Sequence, residues 1–144
     1  MASGAVVAVD LDALPDRRHR VNNGTPRPIT VHESLLRARP DLVVRFLRRT
    51  LQAADWAAAH PAQVRAILAR ETRSGADGVR TAYAEGFHTA LHPSLAPDRL
   101  ELLGQQERFL REHGYLAEQV SVEEWVAPEP LAEARALDAA AAGA

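Results

Sequence analysis

The stretch VNNGTPRPITVHESLLRARPDLVVRFLRRTLQAADW, residues 21–56, decides how this chain is read. It passes from a turn-rich loop into a short β-branched segment, and then into a long helical pattern. Asn22, Asn23 and Gly24 tolerate positive φ, while Pro26 and Pro28 hold the backbone extended. Ile29, Val31, Leu35 and Leu36 then give ITVHESLL the look of a buried strand. Pro40-Asp41 opens a helix, because proline suits the first turn and a carboxylate suits the positive end of the helix dipole. Leu42, Val43, Phe46, Leu47, Thr50, Leu51, Ala54 and Ala58 follow at three- and four-residue spacing and define its expected apolar face.

Outward from this stretch the inventory is helical. A second strand candidate lies upstream in AVVAVDLDAL, where Val6, Val7 and Val9 are β-branched and Asp10 and Asp12 mark its exit from a core. Downstream, His60-Pro61 ends the long helix and starts another, carrying Val64, Ile67 and Leu68. A further helix is expected from Asp77 to Leu91, ahead of Pro93. Pro97-Asp98 opens the next, with Leu100, Leu103, Phe109 and Leu110 on one face and Gly114 as its C-terminal cap. SVEEWVAPEPLAEARAL reads as an amphipathic end piece broken by Pro128 and Pro130. The expectation is a helix-rich α/β chain with about two strands and four to five helices. One domain spans 1–137, and 138–144 forms a disordered Ala-rich tail.

Composition narrows the chemistry. All 17 basic residues are Arg; there is no Lys and no Cys. A Schiff-base or P-loop lysine, a thiolate nucleophile, a disulfide and a Cys-based zinc site are therefore excluded for these residues. The net charge of −2 argues against a nucleic-acid partner. No segment has the length of a membrane span or the pattern of a signal peptide, so the chain as written is expected in the cytoplasm.

Several residues are candidates for function. His88 and His92 are four apart and share a face if helical, with Glu85 as a third metal ligand; against this, helix-end histidines are common, and no metal or cofactor is assigned. His32-Glu33-Ser34 suggests a hydrolytic relay, but no nucleophile-elbow sequence surrounds the serine. Polar groups at a strand end often contact ligand, so His32, Thr30 and Asn23 are the ligand-binding candidates. NNGTPRP is a possible anion nest or a plain crossover loop. Trp56 and Trp125 are expected as core, with an aromatic ligand wall as the other reading. Arg45, Arg48 and Arg49 are expected on a solvated face.

The order of segments adds a resemblance. ITVHESLLRARPDLVVRFL, ADWAAAHPAQV, LELLGQQERFLREHGYL and VEEWVAPEPL follow one another as in the C-terminal part of the substrate-binding proteins of ABC importers for nitrate, sulfonate and taurine. Within that family they most resemble the 2′-hydroxybiphenyl-2-sulfinate desulfinases, cytoplasmic enzymes on the same fold. The resemblance runs from about Ala5 to Leu131 and implies part of a type II periplasmic-binding-protein lobe. Such proteins are roughly twice this length, so the chain is expected to be truncated. It implies capture of a small sulfur-containing or otherwise anionic ligand by hinge closure, without chemistry, and an ABC permease as partner if exported. Transporter-type relatives are periplasmic or cell-surface proteins. The alternative it implies is a desulfinase-like fragment whose cysteine would come from an absent N-terminal lobe. A third reading, from the residues alone, is a free-standing helical interaction module. Helix faces left uncovered in an isolated portion would favour self-association.

Overall fold

The computed structural model describes residues 27–83 and 85–143, together with Ala8 and Ala13. Its helices are α1 (Glu33–Ala38), α2 (Pro40–Ala59), α3 (Pro61–Glu71), α4 (Ala76–Ala82), α5 (Pro97–Glu112), α6 (Val122–Trp125) and α7 (Glu129–Ala142). A 3-10 turn, Phe87–Thr89, lies between α4 and α5. The residues divide into two compact units. One comprises Val31–Ser94 with Pro128–Ala144; the other comprises Met1–Thr30 with Leu95–Ala127.

Proline sets most of the helix starts. Pro40, Pro61 and Pro97 each occupy the first position of α2, α3 and α5, where the missing N–H has no intrahelical partner to lose. Pro130, expected to break the end piece, instead sits in the first turn of α7. Asp41 adds a carboxylate to the first turn of α2 and accepts two hydrogen bonds from the Arg39 guanidinium, both at 2.9 Å. Those bonds, with the guanidinium charge, hold the Asp41 carboxyl below its usual pKa against a smaller opposing effect of desolvation. A depressed folded-state pKa stabilises the protein above the unfolded value, about 3.9, and the contribution disappears as pH falls through the folded value. Asp41→Asn is therefore expected to lower stability slightly at neutral pH and not at all in strong acid. Urea titrations of the two proteins across that range check it.

In the first unit, α2 and α7 pack along each other and carry most of the core. Val44, Leu47, Leu51, Ala54 and Ala57 are the buried residues of α2, and Leu131 and Ala134 those of α7. Small residues on both helices let the backbones approach. A polar contact closes the α2–α7 seam, with the Gln52 amide donating to the Asp138 carboxylate at 2.8 Å. Arg48 turns toward the same carboxylate at 3.5 Å, but its buried Nε has no hydrogen-bond partner. Val64 of α3 and Val79 of α4 make a smaller buried cluster as those helices pack together. The segment after the 3-10 turn is held by His92 Nε2 on Asp55 of α2 at 2.8 Å, and by Arg135 of α7 donating to the Pro93 carbonyl at 2.9 Å.

In the second unit, α5 buries Leu102. It ends in a Schellman turn: Gly114 adopts φ +76°, Tyr115 N donates to Leu110 O at 2.8 Å and Gly114 N donates to Arg111 O at 3.1 Å. Gly114 thus takes the C-terminal role expected of it. Ser121 caps α6 by accepting from Glu124 N at 3.2 Å.

The α/β expectation is overturned: no strand occurs among the described residues. Of the expected strand ITVHESLL, residues 29–32 are extended but unpaired, and Glu33 to Leu36 begin α1. The reason is local. His32 caps the helix, its Nδ1 accepting from Ser34 N at 3.3 Å, and Glu33 pairs with Arg37 one turn on. Leu, Arg and Ala favour the helix, and three β-branched or threonine residues cannot form a strand without a neighbour. The upstream candidate AVVAVDLDAL lies outside the described residues apart from Ala8 and Ala13, neither of which is in a strand. The helix expected from Asp77 to Leu91 is also corrected, because α4 stops at Ala82. Trp56 and Trp125, expected as core, are 43% and 51% exposed. α7 continues through the Ala-rich segment from 138 as far as Ala142, in keeping with the helix propensity of alanine.

Candidate functional site

The described residues of the first unit form a cleft of about 280 Å³ between α3, α4 and the 3-10 turn. Its floor is apolar. Pro61, Val64 and Leu68 lie on one side of α3 at helical spacing, and Val79 of α4 closes against them. Tyr83, at the end of α4, and Phe87, in the 3-10 turn, form an aromatic wall with ring centroids 4.7 Å apart and planes tilted by 55°. That tilted arrangement is favourable for aromatic pairs.

The rim is polar, with Arg65 and Arg80 set against the Glu85 carboxylate and the Arg80 partner Asp77. Arg65 follows Val64 on α3, and Arg80 follows Val79 on α4, so each guanidinium stands beside a residue buried in the floor. Arg80 is ion-paired with Asp77. Arg65 has no ion-pair or hydrogen-bond partner among the described residues. Glu85 and His88 complete the rim. An unpaired guanidinium above an aromatic and aliphatic floor suits a small anion with an apolar body, since Arg offers two parallel donors to a pair of oxygens.

Of the metal ligands expected together, Glu85 and His88 line this cleft while His92 turns away to Asp55. The helix that was to align the two histidines ends before both. No group of three or more potential ligands stands together among the described residues. The Ser34 hydroxyl meets His32 Nδ1 at 2.8 Å, but Glu33 is taken by Arg37, so the three do not form a relay. His32 is the exposed cap of α1, and Thr30 is exposed in the extended segment before it. Neither lines the cleft, and Asn23, with most of NNGTPRP, lies outside the described residues. Arg45 is solvent-exposed as expected of it, Arg49 bonds to Gln52, and Arg48 is drawn toward Asp138. Sequence reading missed Arg65, Arg80 and Tyr83, which no motif joins. A Val-Arg pair is no signal by itself, since Val44-Arg45 also follows a core valine with an Arg and stands away from the cleft.

The chain is 33% identical over 130 residues to the 2′-hydroxybiphenyl-2-sulfinate desulfinase of Rhodococcus erythropolis, and equally so to that of Rhodococcus qingshengii. The match covers 90% of this chain but 34% of the relative. The chain thus spans about a third of the length of the curated relatives it matches. No family model matches it. No solved structure matches it. The relatives found agree with the desulfinase-type alternative rather than with the transport reading. No helix among the described residues is long and apolar enough to cross a membrane.

Proposed function

We propose that this chain is a desulfinase-like polypeptide of sulfur metabolism, and that its own contribution is to hold an aryl-sulfinate-type anion. The observation that carries the reading is the 33% identity over 130 residues to desulfinases named for 2′-hydroxybiphenyl-2-sulfinate. The cleft supports it. A sulfinate presents two oxygens to Arg65, and a biaryl body matches Tyr83, Phe87 and Leu68. The chain contains neither Cys nor Lys, so a desulfination step run through a thiolate or an amine would take that group from outside these residues.

Titration calorimetry with 2′-hydroxybiphenyl-2-sulfinate tests the proposal. A single exposed guanidinium contact over a shallow apolar floor corresponds to a Kd on the order of 0.1–1 mM. Arg65→Ala is expected to weaken binding roughly tenfold, the equivalent of about 1.4 kcal/mol. An uncharged biaryl of the same shape is expected to bind more weakly than the sulfinate. Equal affinity of the parent and Arg65→Ala proteins, or no heat of binding, would remove the cleft from the proposal.

A further inference from the structure

The aromatic wall of the cleft is built from two places. Tyr83 leaves α4 in extended backbone, φ −124° and ψ 129°, and its ring meets that of Phe87. Phe87 belongs to the three-residue 3-10 turn, which follows Gly86 and has no side-chain cap. So short a turn makes few bonds of its own, and its place depends on what lies beside it. It packs chiefly on α2. Just beyond it, two consecutive residues are tied to the two helices of the main core. His92 Nε2 meets the Asp55 carboxylate of α2 at 2.8 Å, and the Pro93 carbonyl accepts from the Arg135 guanidinium of α7 at 2.9 Å.

None of Asp55, His92 and Arg135 lines the cleft. Surface pairs such as Arg37–Glu33 and Arg80–Asp77 join residues of one helix, whereas these two bonds cross 37 and 42 residues of chain and join separate elements. We propose that residues 90–94 act as a strap: His92 and Arg135 are positioning residues that set where Phe87 stands against Tyr83, and thereby how the cleft fits its ligand. A carboxylate accepts only, so His92 Nε2 carries the proton directed at Asp55. The His92 and Asp55 side chains are 39% and 64% exposed, and an exposed pair of this kind contributes little to overall stability. Val64 and Val79, in contrast, are buried in the floor where α3 meets α4. Loosening the strap therefore moves the wall and spares the floor. What the cleft holds rests on the sulfinate reading; the coupling of strap to wall rests on the two bonds.

Nuclear magnetic resonance of the chain with isotope-labelled phenylalanine tests the strap. The chain has three Phe, so Phe87 is read beside two internal controls, Phe46 of α2 and Phe109 of α5. Without ligand, His92→Ala is expected to shift the Phe87 ring signals and leave those of Phe46 and Phe109 in place. His92→Gln, whose amide can still donate to Asp55, is expected to restore the parental signals. Arg135→Ala and Arg135→Lys are expected to repeat the pattern at the Pro93 carbonyl. Calorimetry with 2′-hydroxybiphenyl-2-sulfinate is expected to show about threefold weaker binding to the His92→Ala chain and parental binding to His92→Gln. Phe87 signals unmoved in both alanine variants, equal shifts for His92→Ala and His92→Gln, shifts at all three phenylalanines, or sulfinate binding equally tight in parent and His92→Ala would each overturn the proposal. A parent chain that binds no sulfinate removes the ligand reading alone, because the ring signals decide the strap without ligand.

Discussion

Replacing Ala134 by Trp is expected to give a protein that does not close its main helix pair. Ala134 is fully buried, 0% exposed, on the face of α7 that meets α2. The α2 residues Ala54 and Ala57, at 3% and 4% exposure, show how little room that seam leaves. A two-ring side chain has nowhere to go unless the helices separate. Overpacking of a tight core costs about 1–3 kcal/mol for added methylenes, and more for a larger intrusion. Separation would also break the Gln52–Asp138 bond and expose Leu47, Leu51 and Leu131. Against a net stability of roughly 5–15 kcal/mol, the variant is expected to lose most of its cooperative transition. Thermal melting followed by circular dichroism, with dye binding to exposed apolar surface, checks it. An unchanged Tm would show that α7 does not press on α2 as described.

Replacing Leu51 by Ala is the second large effect. Leu51 lies near the middle of α2 and is 6% exposed, between Leu47 and Ala54 on the buried stripe. Truncation removes its transfer free energy and leaves a cavity that the neighbouring alanines cannot fill. The expected loss is about 2–4 kcal/mol. Leu42→Ala serves as the contrast, because that leucine stands on the exposed stripe and its removal is expected to cost little. Urea denaturation of the two variants separates them. Similar midpoints would mean that the assignment of the two faces of α2 is wrong.

The proline-marked helix starts were the most legible part of the sequence. Pro40, Pro61 and Pro97 each act at one position and in one way, so their reading survives any tertiary arrangement. Gly114 was readable for the same reason. The face of α2 was harder. Leu42, Val43, Val44, Phe46, Leu47, Leu51 and several alanines surround more of the helix than one partner can cover. Packing against α7, the 3-10 turn, α1 and α3 together buries Val44, Leu47, Leu51, Ala54 and Ala57, leaving Phe46 and Trp56 outside. Periodicity alone cannot make that choice. The strand reading of ITVHESLL failed because strand propensity has value only beside another strand, whereas the His32 cap and the Glu33–Arg37 pair act within the segment itself. The cleft was legible only in part. Glu85 and His88 drew attention as metal ligands, but Arg65 and Arg80 reach it from two different helices, and their meeting depends on how α3 and α4 pack.

The first unit is discontinuous: α7 completes a core that α2 begins, and 69 residues, 60–128, lie between the two helices. A ribosome adding roughly 5–20 residues per second takes about 3–14 s to cross that interval. For that time Val44, Leu47 and Leu51 have no α7 to cover them. The nascent chain thus carries an unshielded greasy helix while those 69 residues are added, and its yield in a cell is expected to rise with chaperones that hold this helix until its late partner arrives.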